Sequence, residues 1–208
     1  MKFTYYGHSC FVVETDGKKL LFDPFINGNE LAMGKVDVNS IEADYILPSH
    51  GHGDHVGDLV AIAQRTGAQV IGGYEVVSWA EKSGVKNVHP MNFGSAQFGF
   101  GRLHFLPAWH SSSLPDGSYG GNPGGFLVQG AEGNFYYSGD TCLMMDMQLI
   151  PRYAKLKFAI LPIGGNFTMD ADDAVIAAEF IQCDTIIGVH YDTFGYIKID
   201  HEAVKAKF

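Results

Sequence analysis

The stretch SHGHGDHVGD, residues 49–58, contains three histidines and one aspartate within six positions. The chain has 9 histidines, so a third of them lie in this one segment. The interposed glycines permit tight turns and leave room beside the polar side chains. Imidazole nitrogens and carboxylate oxygens suit zinc, iron or manganese, so the stretch predicts a metal site. The alternative is a histidine-rich surface loop that binds nothing.

The spacing within the stretch predicts that its side chains divide between two ions. His50 and His52 are two positions apart, so an extended backbone points both to the same side, where one ion can take both. Asp54 and His55 are adjacent and therefore diverge, and a turn into a helix would direct them to a second ion. The set includes no cysteine, which argues against a closed structural zinc site.

Other predicted strands also end in metal-ligating residue types. Four apolar stretches each end at a histidine or an aspartate: ADYILPSH at His50, RLHFLPAWH at His110, NFYYSGD at Asp140 and IIGVH at His190. Loops at strand ends are where sites are usually built. One such residue alone could be a polar strand cap, but four of them together with the cluster predict one shared site.

The remaining chain alternates strand and helix patterns. Strands are predicted for KFTYYGHSCFVVET and KKLLFDPF, joined by a hairpin turn at Asp16-Gly17. Helices are predicted for DHVGDLVAIAQRTG, YEVVSWAEKSG, DMQLIPRYAKLK and DADDAVIAAEFIQC, the third broken or kinked at Pro151. No linker-like stretch interrupts the order, so we expect a single α/β domain over residues 1–208, with two sheets and helices outside them, an αββα sandwich.

Composition limits the class of protein. The formal net charge of −9 argues against nucleic acid as a partner, because phosphate backbones are usually bound by basic surfaces. Three scattered cysteines do not form a disulfide framework. MKFTYYGHSC has no apolar signal core and no run reaches membrane-spanning length, so we expect a cytoplasmic protein without a membrane partner. Apolar strands with few charges are compatible with a homo-oligomer.

These motifs resemble the metallo-β-lactamase-fold hydrolases, whose signature His-x-His-x-Asp-His stands here as His50, His52, Asp54 and His55. The later ligands of that family match His110, Asp140 and His190, so the resemblance spans nearly the whole chain. GHSCFVVE, FDPF and ILPIGGNFTMD are similar to the small stand-alone hydrolases related to L-ascorbate-6-phosphate lactonase. The resemblance implies an αββα sandwich of the metallo-β-lactamase type, with two mixed sheets and the site at one edge.

The resemblance also implies a role for each ligand. The first ion would be held by His50, His52 and His110, the second by Asp54, His55 and His190, and Asp140 would bridge both. Zinc is the default for two divalent ions in such a set, and manganese, iron or nickel also fit. A bridging hydroxide would be the nucleophile, because metal binding lowers the pKa of water from 15.7 to about 7. Asp54 would act first as ligand and orienter and second as a base.

Asp140 narrows the reaction that the resemblance implies. True β-lactamases lack this bridging aspartate, whereas phosphodiesterases, lactonases and thioesterases of the superfamily commonly have it. We therefore expect a dinuclear metal-dependent hydrolase of a small ester, lactone or phosphodiester, and not a true β-lactamase. The alternatives are a di-iron oxidoreductase on the same scaffold and a non-enzymatic metal-binding module.

Three further residues are candidates for supporting contacts. His8 could reach the site from the first strand, Asp23 could accept a hydrogen bond from a ligand histidine, and Asn166 could contact substrate. Their structural alternatives are a histidine within a sheet, a turn aspartate before Pro24 and a turn that caps a helix. Residues 111–125, SSSLPDGSYGGNPGG, could form a substrate lid, and they include no basic residue to clamp a phosphate. Asp58 is expected to be an exposed helix residue.

Overall fold

Two six-stranded sheets face each other in the computed structural model, which describes residues 1–208. The first sheet contains, in spatial order, β1 (Lys2–Gly7), β2 (Cys10–Thr15), β3 (Lys18–Phe22), β4 (Tyr45–Leu47), β5 (Gln69–Gly73) and β6 (Val88–Met91). The second contains β7 (Gly94–Phe98), β8 (Gly101–Pro107), β9 (Gly124–Gly130), β10 (Gly133–Tyr137), β11 (Phe158–Pro162) and β12 (Ile186–Val189).

Both sheets are mixed. Strands β1 to β3 pair antiparallel, and β3 to β6 pair parallel. In the second sheet β7 to β10 are antiparallel, and β10 to β12 are parallel. The predicted sandwich of two mixed sheets is therefore confirmed, as is the hairpin at Asp16-Gly17, where Thr15 pairs with Lys18.

Six short helices cover the outer faces of the sheets. They are α1 (Gly53–Val56), α2 (Leu59–Thr66), α3 (Tyr74–Lys82), α4 (Ile150–Tyr153), α5 (Ala171–Ile181) and α6 (His201–Lys205). The apolar sides of α2 and α3 pack on the first sheet, and those of α4 and α5 pack on the second. No helix combines the length and the apolar character needed to cross a membrane.

The core between the sheets is aromatic. Along β2 the side chains alternate, so that Phe11 and Val13 face the other sheet while Cys10 and Val12 face the helices. The ring of Phe22 stacks on Phe11 with centroids 4.7 Å apart and meets Tyr137 edge-on at 5.7 Å. Because both faces of each sheet are covered, the strands are apolar on both sides and polar residues collect at their ends.

Two predicted elements are each divided in the structure. The first predicted strand is a pair, β1 and β2, joined by a turn at His8, whose φ of 54° lies in the left-handed region. The helix predicted from Asp54 stops at Gly57 and restarts at Leu59 as α2. Asp58, between the two pieces, is buried rather than exposed, because its carboxylate accepts hydrogen bonds from the 26–27 loop.

Two prolines, Pro151 and Pro90, affect how well the predicted elements agree with the observed ones. The helix predicted for DMQLIPRYAKLK is divided just before Pro151, as expected: a 3-10 helix over Met145–Leu149 is followed by α4. Pro151 lies in the first turn of α4, where a missing N–H costs nothing. Strand β6 contains Pro90 and was not predicted. As the outermost strand of its sheet it has one unpaired side, and a proline is tolerated there.

We predict that Phe22→Ala lowers the free energy of unfolding by about 3–5 kcal/mol, because the cavity opens in the aromatic layer between the sheets. Met33→Ala is the control, since this side chain is largely exposed, and its effect should stay below about 0.5 kcal/mol. Urea denaturation followed by circular dichroism measures both. Equal effects of the two substitutions would show that the inter-sheet layer is not the main core.

Candidate metal centre

The seven predicted ligands converge at one edge of the sandwich. His50, His110, Asp140 and His190 follow the ends of β4, β8, β10 and β12. Asp54 and His55 lie on α1, and His52 directly precedes that helix. Their ligand atoms form overlapping groups whose members lie within 4.8 Å of one another: His50 with His52 and His110, His50 with His55 and Asp140, and Asp54 with His55, His190 and His8. The structure brings these side chains together at the strand ends, and their role as metal ligands stays a prediction.

The first group contains three imidazoles. Nε2 of His50 lies 2.8 Å from Nδ1 of His52. The ring centroid of His110 lies 5.1 Å from that of His50 and 5.2 Å from that of His52. The three rings therefore present nitrogen atoms to a common point, as the spacing predicted for the first two.

Asp140 lies between this group and the second. Its Oδ2 is 2.9 Å from Nε2 of His190, 3.2 Å from Nε2 of His55 and 3.7 Å from Nε2 of His110. Oδ2 of Asp54 lies 3.8 Å from Nε2 of His55. A single buried carboxylate thus reaches histidines of both groups, which is the placement that a bridging ligand needs.

The donor set fits divalent cations. Nε2 of His55 and Oδ1 of Asp140 are buried without any hydrogen-bond partner in the protein. An unpaired buried polar atom is costly, and a coordinated cation would satisfy both atoms at once. Nitrogen and oxygen donors without sulfur are the set preferred by zinc, manganese and iron.

Asp23 fixes the orientation of two histidines of the centre. Its buried carboxylate accepts hydrogen bonds from the backbone N–H of Ser49, the Ser49 hydroxyl, Nδ1 of His55 and the Tyr137 hydroxyl. Because the Ser49 hydroxyl gives its hydrogen to Asp23, it accepts one from Nδ1 of His50, 3.0 Å away. In its neutral form each ring therefore carries its proton on Nδ1 and directs the Nε2 lone pair into the centre. The predicted contact of Asp23 with a ligand histidine is present.

His8 supports Asp54 from the other side. Nε2 of His8 lies 3.1 Å from Oδ2 of Asp54, and its Nδ1 lies 2.9 Å from Oγ1 of Thr193. Burial lowers the pKa of His8 to about 4, so the ring is neutral at physiological pH. Burial alone would raise the pKa of Asp54, but the hydrogen bond from His8 and the charge of His55 lower it below its usual range. Asp54 is therefore held as a carboxylate.

Opposite charges within the centre shift the pKa values of His55 and Asp140 toward the charged form of each group. Burial alone would lower the pKa of His55, but the charges of Asp140 and Asp23 raise it well above its usual value. Burial alone would raise the pKa of Asp140, and the charges of His55 and His190 hold it well below its usual range. The carboxylates that attract a proton to His55 would equally attract a metal cation, because protons and metals compete for the same lone pair.

Backbone strain is concentrated around the centre. Three non-glycine residues that directly follow strands have positive φ there: His8 at 54°, Asp23 at 41° and His190 at 57°. Such conformations cost about 1–3 kcal/mol each and cluster at functional sites. At His8 and His190 the strain is held by a 2.8 Å hydrogen bond from the backbone N–H of His190 to the backbone oxygen of His8. The two strained turns therefore support each other.

Two predicted contacts have a different role in the structure. The side chain of Asn166 is exposed and does not line the cavity; its neighbour Phe167 does. The 111–125 loop is anchored: the Ser112 hydroxyl accepts a hydrogen bond from the Gly51 N–H, and Leu114 is buried in the core. Only Ser111 from this loop faces the cavity, so the loop is a fixed wall and not a free lid.

The centre opens into a cavity of about 330 Å³. Its walls are His52, Asp54, His110, Ser111, Asp140, Phe167, His190 and Phe194. Sequence reasoning missed Phe167, and it missed Ser49 and Tyr137 as partners of Asp23. Ser49 directly precedes a ligand in the sequence, which was the one available signal. Nothing in the sequence pairs Tyr137 with Asp23, since the two belong to different sheets and lie 114 positions apart.

We predict that Asp23→Asn weakens metal binding by about 10- to 100-fold, because His55 and His50 lose the acceptor that orients them. Asp58→Asn is the matched control, since it removes another buried carboxylate that hydrogen-bonds to the 26–27 loop and to no ligand. Competition with a chromophoric chelator measures both affinities. Unchanged affinity in Asp23→Asn, or an equal loss in Asp58→Asn, would show that Asp23 does not orient the ligands.

Comparisons with known proteins agree with this geometry. The sequence profile of the beta-lactamase superfamily domain matches residues 18–191. The UPF0173 metal-dependent hydrolase of Christiangramia forsetii is 53% identical over 209 residues, covering 100% of this chain and 92% of that protein. Its counterpart in Methylacidiphilum infernorum is 51% identical over 209 residues, with the same coverage.

A solved structure supports the same assignment. Igni18, a metallo hydrolase from Ignicoccus hospitalis, superimposes with a TM-score of 0.87 at 33% identity, covering 99% of this chain and 88% of that chain. The narrower relation to L-ascorbate-6-phosphate lactonase stays a prediction. With a profile match over most of its length and relatives above half identity, the chain belongs to the UPF0173 metal-dependent hydrolases of the metallo-β-lactamase superfamily.

Proposed function

We propose that this protein is a dinuclear hydrolase that cleaves the ester-type bond of a small molecule, a carboxylic ester, a lactone or a phosphodiester. The observation that carries the proposal is the position of Asp140, whose carboxylate lies within 4 Å of histidines from both ligand groups. A carboxylate shared in this way suits two cations better than one. Zinc is the first candidate for both positions, and manganese, iron or nickel also suit the donors.

The residues divide the work between binding and orientation. His50, His52 and His110 would hold one ion, Asp54, His55 and His190 the other, and Asp140 would bridge them. Bound divalent ions would lower the pKa of water to about 7 and polarise the oxygen of the bond under attack. Asp23 keeps two imidazole rings in the binding orientation. It accepts a hydrogen bond from His55 directly, and it acts on His50 through the Ser49 hydroxyl.

Asp54 is the more exposed of the two carboxylates that line the cavity, since its side chain is 25% exposed while that of Asp140 is 2% exposed. Because its pKa is lowered, it stays ionised and acts first as ligand and orienter. In hydrolysis the water oxygen forms a bond to the carbonyl carbon or phosphorus, the bond to the leaving oxygen breaks, and one water proton passes to that oxygen. Asp54 would accept this proton from the water and give it to the leaving oxygen.

Hydrolysis of three probes tests the reaction class. Protein reconstituted with zinc or manganese is assayed with an aryl phosphodiester, a sugar lactone and an aryl carboxylic ester. We expect turnover of at least one probe, lost after chelation and reduced by at least about 100-fold in Asp54→Ala, because that variant loses a ligand and a proton acceptor. Turnover that survives both treatments would contradict the proposal, and so would inactivity on all three probes and on wider ester panels.

Metal content tests the division of ligands. We expect two ions per chain in the parent protein and about one in His110→Ala and in His190→Ala, because each substitution removes a ligand of a different ion. His201→Ala is the control: this histidine pairs with Asp192 at the surface and should leave two ions bound. Plasma emission spectrometry after gel filtration gives the ratio. Loss of both ions in each single variant, or one ion in the parent, would contradict the division.

A further inference from the structure

A second, larger depression continues from the metal cavity across the surface. It has a volume of about 820 Å³ and shares Asp54, Phe167 and Phe194 with the metal cavity. We call it the aromatic cleft, and its principal walls are Phe25, Glu30, Phe167, Phe194 and Tyr196. A substrate whose reacting bond lies at the metal centre would therefore extend into this cleft.

Three of the four aromatic rings of the cleft are exposed, whereas Phe25 is buried. Phe167 is 50% exposed, Phe194 37% and Tyr196 78%. The rings of Phe167 and Tyr196 meet edge-on with centroids 6.1 Å apart, and those of Phe25 and Phe194 are 6.5 Å apart. Clustered exposed apolar side chains beside a polar centre mark a binding surface more often than a structural one.

Both loops that carry these rings are firmly held. The backbone N–H of Ile197 donates a 3.1 Å hydrogen bond to the backbone oxygen of Phe194, and the Ile197 side chain is fully buried. Met169 is also fully buried, and its backbone N–H donates a 2.9 Å hydrogen bond to the backbone oxygen of Thr141. Each loop thus anchors one apolar residue in the core and presents another to solvent. The cleft is preformed, which reduces the entropy lost when a ligand binds.

The charge of the cleft selects among ester-type substrates. Neither the cleft nor the metal cavity is lined by a lysine or an arginine, and Glu30 adds a carboxylate at the cleft wall. A phosphate or carboxylate group that extended into the cleft would meet no lysine or arginine there, and it would meet the like charge of Glu30. An uncharged aryl or similarly apolar group would gain ring contacts from two loops.

We infer that the aromatic cleft binds an uncharged, aryl-sized apolar group that the substrate carries beside the bond cleaved at the metal centre. This inference rests on the proposed function for the bond cleaved and adds the chemical class of the group beside it. For a carboxylic ester, hydrolysis takes up one water, and the products are a carboxylate that retains the acyl side of the bond and an alcohol formed from the other side.

Three ethyl esters, all of which release ethanol as the leaving group, test the inference. Ethyl 3-phenylpropanoate carries an aryl group, ethyl butanoate a short alkyl group and monoethyl succinate an anion. We expect kcat/KM to fall in that order, by at least about 10-fold from the first to the last, because one ring contact alone contributes a factor of about 2–12. Equal kcat/KM for the three esters, or a preference for the succinate, would overturn the inference.

Variants locate the effect in the cleft. Phe167→Ala and Phe194→Ala should each raise KM for the phenyl ester by about 3- to 10-fold, with kcat changed less than about 2-fold. Tyr74→Ala, an exposed aromatic residue on α3 that lines neither cavity, should change neither constant. Glu30→Lys should raise kcat/KM for monoethyl succinate. An unchanged KM in both phenylalanine variants would overturn the inference.

A binding measurement separates this inference from the proposed reaction. Calorimetric titration of the reconstituted protein with 3-phenylpropanamide and with succinamate needs no turnover, so it reports on the cleft even if every ester is inert. Tighter binding of the neutral amide, weakened in Phe194→Ala, supports the inference. If sedimentation instead shows a dimer that Phe167→Ala or Tyr196→Ala dissociates, a second copy covers the cleft and the inference is wrong.

Discussion

The carboxylate of Asp23 is the interaction on which the rest of the site depends. It is fully buried at the end of β3 and accepts four hydrogen bonds, from Ser49, His55 and Tyr137. Burial and the charge of Asp23 raise the pKa of Tyr137 well above its usual value, so that hydroxyl stays a donor. Because Tyr137 belongs to the second sheet, one carboxylate joins both sheets and the histidine cluster.

This arrangement explains why an αββα sandwich suits such a centre. Apolar strands covered on both faces leave only their ends for polar residues, and several ends of two sheets meet at one edge. The strained turns at His8, Asp23 and His190 are tolerated because hydrogen bonds tie each of them to a neighbouring element. The fold therefore supplies rigid positions for ligands that come from distant parts of the chain.

The sequence predicted the parts of the site that are local or that resemble a known family. His50, His52, Asp54 and His55 are close in sequence, and their grouping followed from spacing alone. His110, Asp140 and His190 required either the strand-end argument or the family resemblance, and the structure brings all three to the same place. Local turn chemistry also sufficed for the Asp16-Gly17 hairpin, where Thr15 pairs with Lys18.

Features that depend on distant contacts were not predictable. Asp58 looked like an exposed helix residue until the fold brought the 26–27 loop against it. Strand β6 was not predicted because it contains Pro90. A proline is expected only in an edge strand, and an edge position cannot be recognised before the sheet order is known. The aromatic cleft joins Phe25, Phe167 and Tyr196, whose separation in the chain gives no periodic signal. Such tertiary contacts override local propensity. They decide which residues form the walls of the site, whereas its predicted ligands could be recognised from the sequence.

The central claim is that one centre holds two ions that share Asp140. A crystal structure of the zinc-reconstituted protein, with anomalous scattering recorded at the zinc edge, tests it directly. We expect two peaks about 3.5–4 Å apart. One peak would contact His50, His52 and His110, the other Asp54, His55 and His190, and the Asp140 carboxylate would contact both. A single peak, or peaks at any other group of residues, would contradict the account.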